Sequence, residues 1–200
     1  VAGVDFRING ELVDNLESWI NLSFLRARES FNGVQHGVRR FQNGGIETVN
    51  TPDAPKATDQ LMLFSTYFQD DFPKAPWARV NLAFTVGTGL PFGIPGDNVE
   101  FRNPYRFSAY HRIDLGASFS IWDRKLYIKK NKPPIVNGKR VIKHPLKFFK
   151  GIWISVEIFN LMDVANEASN TWIKDFTNRS YAISTTLTSR LINVRFKVDF

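Results

Sequence analysis

Seven stretches of this chain alternate hydrophobic and polar residues. In residues 190–200, R-L-I-N-V-R-F-K-V-D-F, one side carries Ile192, Val194, Phe196, Val198 and Phe200. The other carries Asn193, Arg195, Lys197 and Asp199. A period of two is the signature of a β-strand, because successive side chains point to opposite faces. Residues 111–121 repeat it, with Ile113, Leu115, Ala117, Phe119 and Ile121 set against Arg112, Asp114, Gly116, Ser118 and Ser120. The same pattern predicts strands over 2–12 (Val4, Phe6, Ile8), 79–88 (Val80, Leu82, Phe84, Val86) and 151–161 (Ile152, Ile154, Val156, Ile158). It is less regular over 18–29, where Trp19 and Leu25 oppose Ile20, Leu22 and Phe24, and over 59–71, which carries Met62, Phe64 and Phe68.

The connections alternate in length. Residues 13–17 and 72–78 predict short turns, while 30–58, 89–110 and 162–189 are long and polar. Residues 30–58 show no periodicity and predict a loop. The connection 122–150 breaks the short side of the pattern. There Asn137-Gly138, between Ile135-Val136 and Val141-Ile142, predicts a small hairpin. Residues 171–174 and 181–184 predict a second one. Strands of about ten residues joined alternately by short turns and long loops match a transmembrane β-barrel, apolar toward lipid and polar toward the lumen. Phe72, Trp77, Tyr110, Trp122 and Phe200 lie near strand ends, where an interfacial aromatic girdle would sit. Seven strands do not close an even-stranded barrel, and open edges in lipid leave backbone groups unpaired. The first and last strands therefore require partners in a larger barrel. The alternative is a soluble all-β sandwich acting as a binding module.

Composition narrows the chemistry. Hydrophobic residues make up 43%, with 18 Phe, 5 Trp and 5 Tyr. No apolar run is long enough for a membrane helix, which leaves membrane strands as the spanning option. Cysteine is absent, which removes disulfides, thiolate nucleophiles and thiolate metal ligands. Residue 1 is Val with no signal-like segment after it, so the chain is expected to be processed or a fragment. The net charge of +7 owes much to one stretch, residues 125–150, rather than to a groove-lining pattern, and no nucleic-acid partner is expected. Those lysines suit a solvated, solubilising hairpin, with anionic lipid headgroups as the other reading.

Several motifs carry a resemblance. They are G-T-G-L-P-F-G (87–93), Y-H-R-I-D-L-G (110–116), E-I-F-N-L-M-D (157–163), T-W-I (171–173), Y-A (181–182) and R-L-I-N-V-R-F (190–196). In this order and spacing they resemble the C-terminal third of the β-barrel of a TonB-dependent outer-membrane receptor of the Bacteroidetes type. The resemblance implies the last seven strands of a plugged barrel of about 22 strands. It makes 30–58, 89–110 and 162–189 extracellular, and it places 13–17, 72–78 and 122–150 in the periplasm. It implies import of a small nutrient across the bacterial outer membrane by binding and gated passage. Its partners would be the remaining barrel strands, the plug domain (absent from this chain), the TonB system acting through that plug, the outer-membrane assembly machinery and lipid. Phe200 would be part of the assembly signal.

No constellation suggests catalysis, and no enzyme activity or cofactor is expected. His36, His111 and His144 lie in separate elements without metal-ligand spacing. Asp70 and Asp71, as strand neighbours, point to opposite faces and read as rim residues. Gly87-x-Gly89 lacks a following helix, so it is no dinucleotide fingerprint and reads as a flexible strand-to-loop transition. Candidate substrate contacts are Phe92, Tyr105, Trp172, Asp175 and Tyr181, aromatic or polar residues of the long loops.

Overall fold

The computed structural model describes residues 1–13, 16–42, 45–72, 75–95, 98–136 and 139–200. Seven strands form one antiparallel meander: β1 (Ala2–Val13), β2 (Leu16–Arg26), β3 (Met62–Phe72), β4 (Ala75–Gly87), β5 (Tyr110–Asp123), β6 (Gly151–Phe159) and β7 (Leu191–Asp199). Their order in space is their order in sequence. The sheet is open, since β1 and β7 each pair with one neighbour and not with each other. Every other sheet among the described residues has two strands. The chain is therefore an all-β domain built on one large antiparallel sheet, and that sheet does not close into a barrel.

Register converts the alternation into two unlike faces. Ile192, Ile158, Leu115, Leu82 and Phe68 follow one another across five strands. Phe6, Leu22, Phe64 and Val86 form a second apolar row from β1 to β4. The opposite face carries rows such as Gln69, Asn81, Gly116, Glu157 and Asn193. No layer covers the apolar rows among the described residues: Phe6 is 58% exposed, Leu115 40% and Phe196 62%. Among the described residues, the buried hydrophobic ones are Ala27, Ala54, Ala78, Trp122 and Ile152. The accessible surface is 13993 Å², against about 9,600 Å² for a compact monomer of this mass.

Several expectations need correction. Residues 30–58 are not a featureless loop, because His36–Gln42 pairs with Gly45–Thr51 as a hairpin. Arg28–Glu29 leaves β2 to pair with Ala54–Pro55. Residues 59–61 precede β3, and Asn160, at φ 52°, ends β6. The turn expected at 72–78 is tighter, with Phe72 opposite Ala75; Pro76 falls within a register shift, where a missing N–H breaks no ladder bond.

The connection 122–150 contains an unexpected helix, Arg124–Asn131. Asp123 caps it by accepting from the Lys125 and Leu126 amides, and Lys129 and Lys130 suit the negative end of its dipole. Ile135–Val136 pairs with Lys139–Arg140, while the predicted Asn137-Gly138 turn itself lies outside the described residues. The hairpin predicted at 171–174 and 181–184 is present and longer, Glu167–Lys174 with Ser180–Thr186.

Candidate functional site

The three long connections leave the same end of the sheet and lock onto one another. Asp59, 1% exposed, accepts the Ala27 amide and pairs with Arg106. Arg106 Nη1 also donates to the Asp59 carbonyl at 2.6 Å and to the Gly89 carbonyl at 3.0 Å. A buried carboxylate is tolerated because charge-assisted bonds meet both its oxygens. His36 is fully buried and its Nδ1 lies 3.0 Å from the Val99 carbonyl; a carbonyl can only accept, so Nδ1 carries the proton. Arg28 clasps Asp53 at 2.7 Å, and its guanidinium holds the Asp53 carboxyl below the ordinary aspartate range.

The third connection is fastened by two asparagines. Asn160 donates its amide to Asp114 Oδ1 at 2.8 Å, and its side chain bridges Val164 and Thr188. Asparagine tolerates this left-handed conformation better than most residues, which gives the E-I-F-N-L-M-D element a physical reason. Asn166 exchanges two bonds with the His111 backbone, at 2.8 and 2.9 Å.

Between the second and third connections lies a cleft of about 350 Å³. Phe92 stacks on Phe107 at 4.4 Å and on Tyr105 at 5.6 Å. Trp172 lines the cleft from the hairpin, with Glu167, Asn170 and Ser184 beside it. Ser184 Oγ lies 3.0 Å from Glu167 Oε1 and 3.1 Å from Asn170 Oδ1; Glu167 Oε2 accepts the Ser108 amide at 3.3 Å. Aromatic walls with a carboxylate and an amide at one side can seat a ring-sized organic ligand and orient its polar edge.

Phe92, Tyr105 and Trp172 thus share one cleft. Asp175 and Tyr181 lie elsewhere, at the tip of the hairpin, joined by a Tyr181 hydroxyl bond of 3.1 Å. Asp175 organises that tip. The Thr177 hydroxyl and the Thr177 and Arg179 amides donate to Oδ1, holding its carboxyl below the usual range. Phe200 is 74% exposed, with its ring 5.3 Å from Phe149 at the other end of the sheet.

The Gly87-x-Gly89 reading changes. Neither glycine adopts a positive φ; a Cβ on Gly89 would collide with the Phe107 carbonyl and one on Gly87 would lie 2.7 Å from Gln60 Nε2. Close approach to backbone accounts for Gly89; at Gly87 the nearest atoms are the ends of the Gln60 and Leu63 side chains, which can move aside.

Sequence reasoning missed a second recess, of about 230 Å³, on the polar face of the sheet. Tyr67 donates to Gln69 at 2.8 Å, the Arg79 guanidinium lies 4.8 Å from the Trp153 ring centre, and Glu157 accepts from Asn193 and Arg195. These residues lie on the opposite face from the apolar rows, and strand register was needed to bring them together. No group of three or more His, Asp or Glu side chains is placed to hold a metal among the described residues.

Compared with protein-family models, curated proteins and solved structures, the chain matches none of them.

Proposed function

We propose that the chain is a wall segment of a larger β-barrel in the bacterial outer membrane, part of a TonB-dependent receptor that imports a small nutrient. The observation that carries this reading is the uncovered apolar face, continuous across the sheet and backed by a polar one. Lipid would cover the apolar rows, and further strands would pair with β1 and β7, whose edges would otherwise be unsatisfied in a bilayer. The aromatic cleft of Phe92, Tyr105 and Trp172 would meet the ligand first, and the polar recess would face its path past the plug. The work is binding and gated passage, without a covalent step; TonB would supply energy through the plug, and the assembly machinery would insert the barrel.

A second reading is an all-β binding module outside a membrane. The open sheet favours it, because the chain closes no barrel, and residues of this chain line the aromatic cleft from two connections. In that reading another protein surface covers the apolar rows.

A cysteine scan along β5 separates the two, because the chain has no native cysteine. With the protein in lipid, cysteines at Ile113, Leu115 and Phe119 should resist an aqueous maleimide and contact a lipid-borne quencher. Those at Arg112, Asp114 and Ser118 should do the reverse. Equal aqueous reactivity at all six positions would overturn the membrane reading.

A further inference from the structure

Residues 124–150 contain ten Lys and Arg and no Asp or Glu, leaving 16 basic against 19 acidic side chains elsewhere. The charge of this segment therefore exceeds that of the whole chain. The segment is folded onto the sheet. His144 stacks on Trp122 at 4.2 Å with the planes 11° apart, and Tyr127 from the helix closes on the same indole at 5.1 Å. Trp122 Nε1 donates to the Phe149 carbonyl at 2.9 Å, and Arg124 Nη2 donates to the Lys147 carbonyl at 2.6 Å.

Arg124 belongs to this anchor, whereas no lysine ammonium group takes part in it among the described residues. Lys125, Lys129, Lys130, Lys132, Lys143 and Lys147 are exposed, and none forms an ion pair among the described residues. Apolar side chains are exposed among them: Phe148 at 73%, Ile135 at 64% and Val136 at 54%. A merely solubilising surface has no use for an exposed Phe148. A polyanion such as nucleic acid would neutralise the lysines but offers Ile135 and Val136 no apolar seat. A lipid surface serves both, with phosphates for the ammonium groups and the acyl boundary for the apolar side chains. The segment also sits where the sheet ends, beside Asp199 and Phe200, which is the headgroup level if the apolar face lies in a bilayer.

We propose that residues 124–150 form a tab that docks on anionic phospholipid headgroups of the leaflet at this end of the sheet. Its placement at headgroup level rests on the membrane reading above, but its preference for anionic lipid can be measured separately. The full chain would be floated with vesicles of phosphatidylcholine alone and with added phosphatidylglycerol, at low and high salt. The wild type should bind the phosphatidylglycerol vesicles far more tightly at low salt, and this preference should fade at high salt. Replacing Lys129, Lys130, Lys132 and Lys143 by Ser should weaken that binding on the order of a hundredfold, with little change on phosphatidylcholine. Phe148→Ser should lower binding severalfold on both vesicle types. Unchanged circular dichroism and Trp emission would show that the variants remain folded. Binding indifferent to phosphatidylglycerol, or to loss of the four lysines, would overturn the proposal. So would capture by an oligonucleotide without any lipid preference. If the cysteine scan fails while the lipid preference holds, the membrane-wall reading falls and the tab stands; the converse removes the tab alone.

Discussion

The two ends of the sheet are held by different means. At the loop end the locks are polar: Asp59 with Arg106 joins the first long connection to the second, Arg28 with Asp53 closes the first on itself, and Asn160 with Asp114 and Asn166 with His111 fasten the third to β5. At the other end the lock is a stack of rings, Trp122, His144 and Tyr127, braced by Arg124, while Lys125, Lys129, Lys130, Lys132, Lys143 and Lys147 are exposed. A buried charge pair fixes geometry but tolerates little change, since removing one partner leaves the other unsatisfied. Ring stacking fixes position less directionally and leaves the surface free to vary. The difference teaches that the loop end is built to hold a cleft in one shape, whereas the insert end is built to present a surface.

Trp122→Ala should have the larger effect. It removes a buried indole and both of its ring contacts, at a cost of about 3–5 kcal/mol. The loss should be confined to the insert, seen as new tryptic cleavage at Lys129 and Lys130 with the loops still resistant. Cleavage spreading to the loop end would break the comparison.

Asp59→Ala should act at the opposite end. It leaves Arg106 and the Ala27 amide without their carboxylate. The cost is about 2 kcal/mol, below the range for a wholly buried pair because the Arg106 side chain is 31% exposed. Limited proteolysis should then cut within 30–58 and 89–107 and spare the insert, and a melt should show the loops loosening first. Resistance equal to wild type would mean that other contacts hold these loops.

Acid should give the smallest separation. The Asp53 carboxyl is held below its ordinary range by Arg28, so its stabilisation is complete above the unfolded-state value and lost as pH falls through the folded one. The window lies below about pH 4. Loop resistance should decline there more steeply in the wild type than in Asp53→Asn, whose clasp is already weakened at neutral pH. Parallel profiles would remove Asp53 from the account.

Most of the sheet was legible in the sequence because its apolar face is regular over most strands: Ile113 to Phe119 can be assigned to one side by counting alone, whereas Thr66 and Asp70 interrupt that face in β3. The helix at Arg124–Asn131 was not legible, since its exposed lysines leave no apolar stripe and Asp123 is its one clear signal. The hairpin within 30–58 was missed for lack of alternation. The cleft was half legible. Aromatic loop residues suggested Phe92, Tyr105 and Trp172, but Glu167 and Asn170 join them through pairing of the hairpin, which composition does not reveal. Asp175 was read as a ligand contact, and the bonds that it accepts within its own turn were not legible. Asp59 and Arg106 lie 47 residues apart, and nothing local announces their pairing.

The meander also sets the order in which the chain can acquire its shape. Every pairing in the large sheet joins strands that follow one another in sequence, so the sheet can lengthen one strand at a time without waiting for distant partners. The slowest closure should be the one spanning residues 27–61, which costs about 2.5 kcal/mol more in chain entropy than the tight β1–β2 turn. The hairpin at His36–Gln42 and Gly45–Thr51 reduces that burden, because a connection already folded on itself behaves as a shorter tether. Its kinetic role would then be to bring β3 to the growing edge before the next strand arrives.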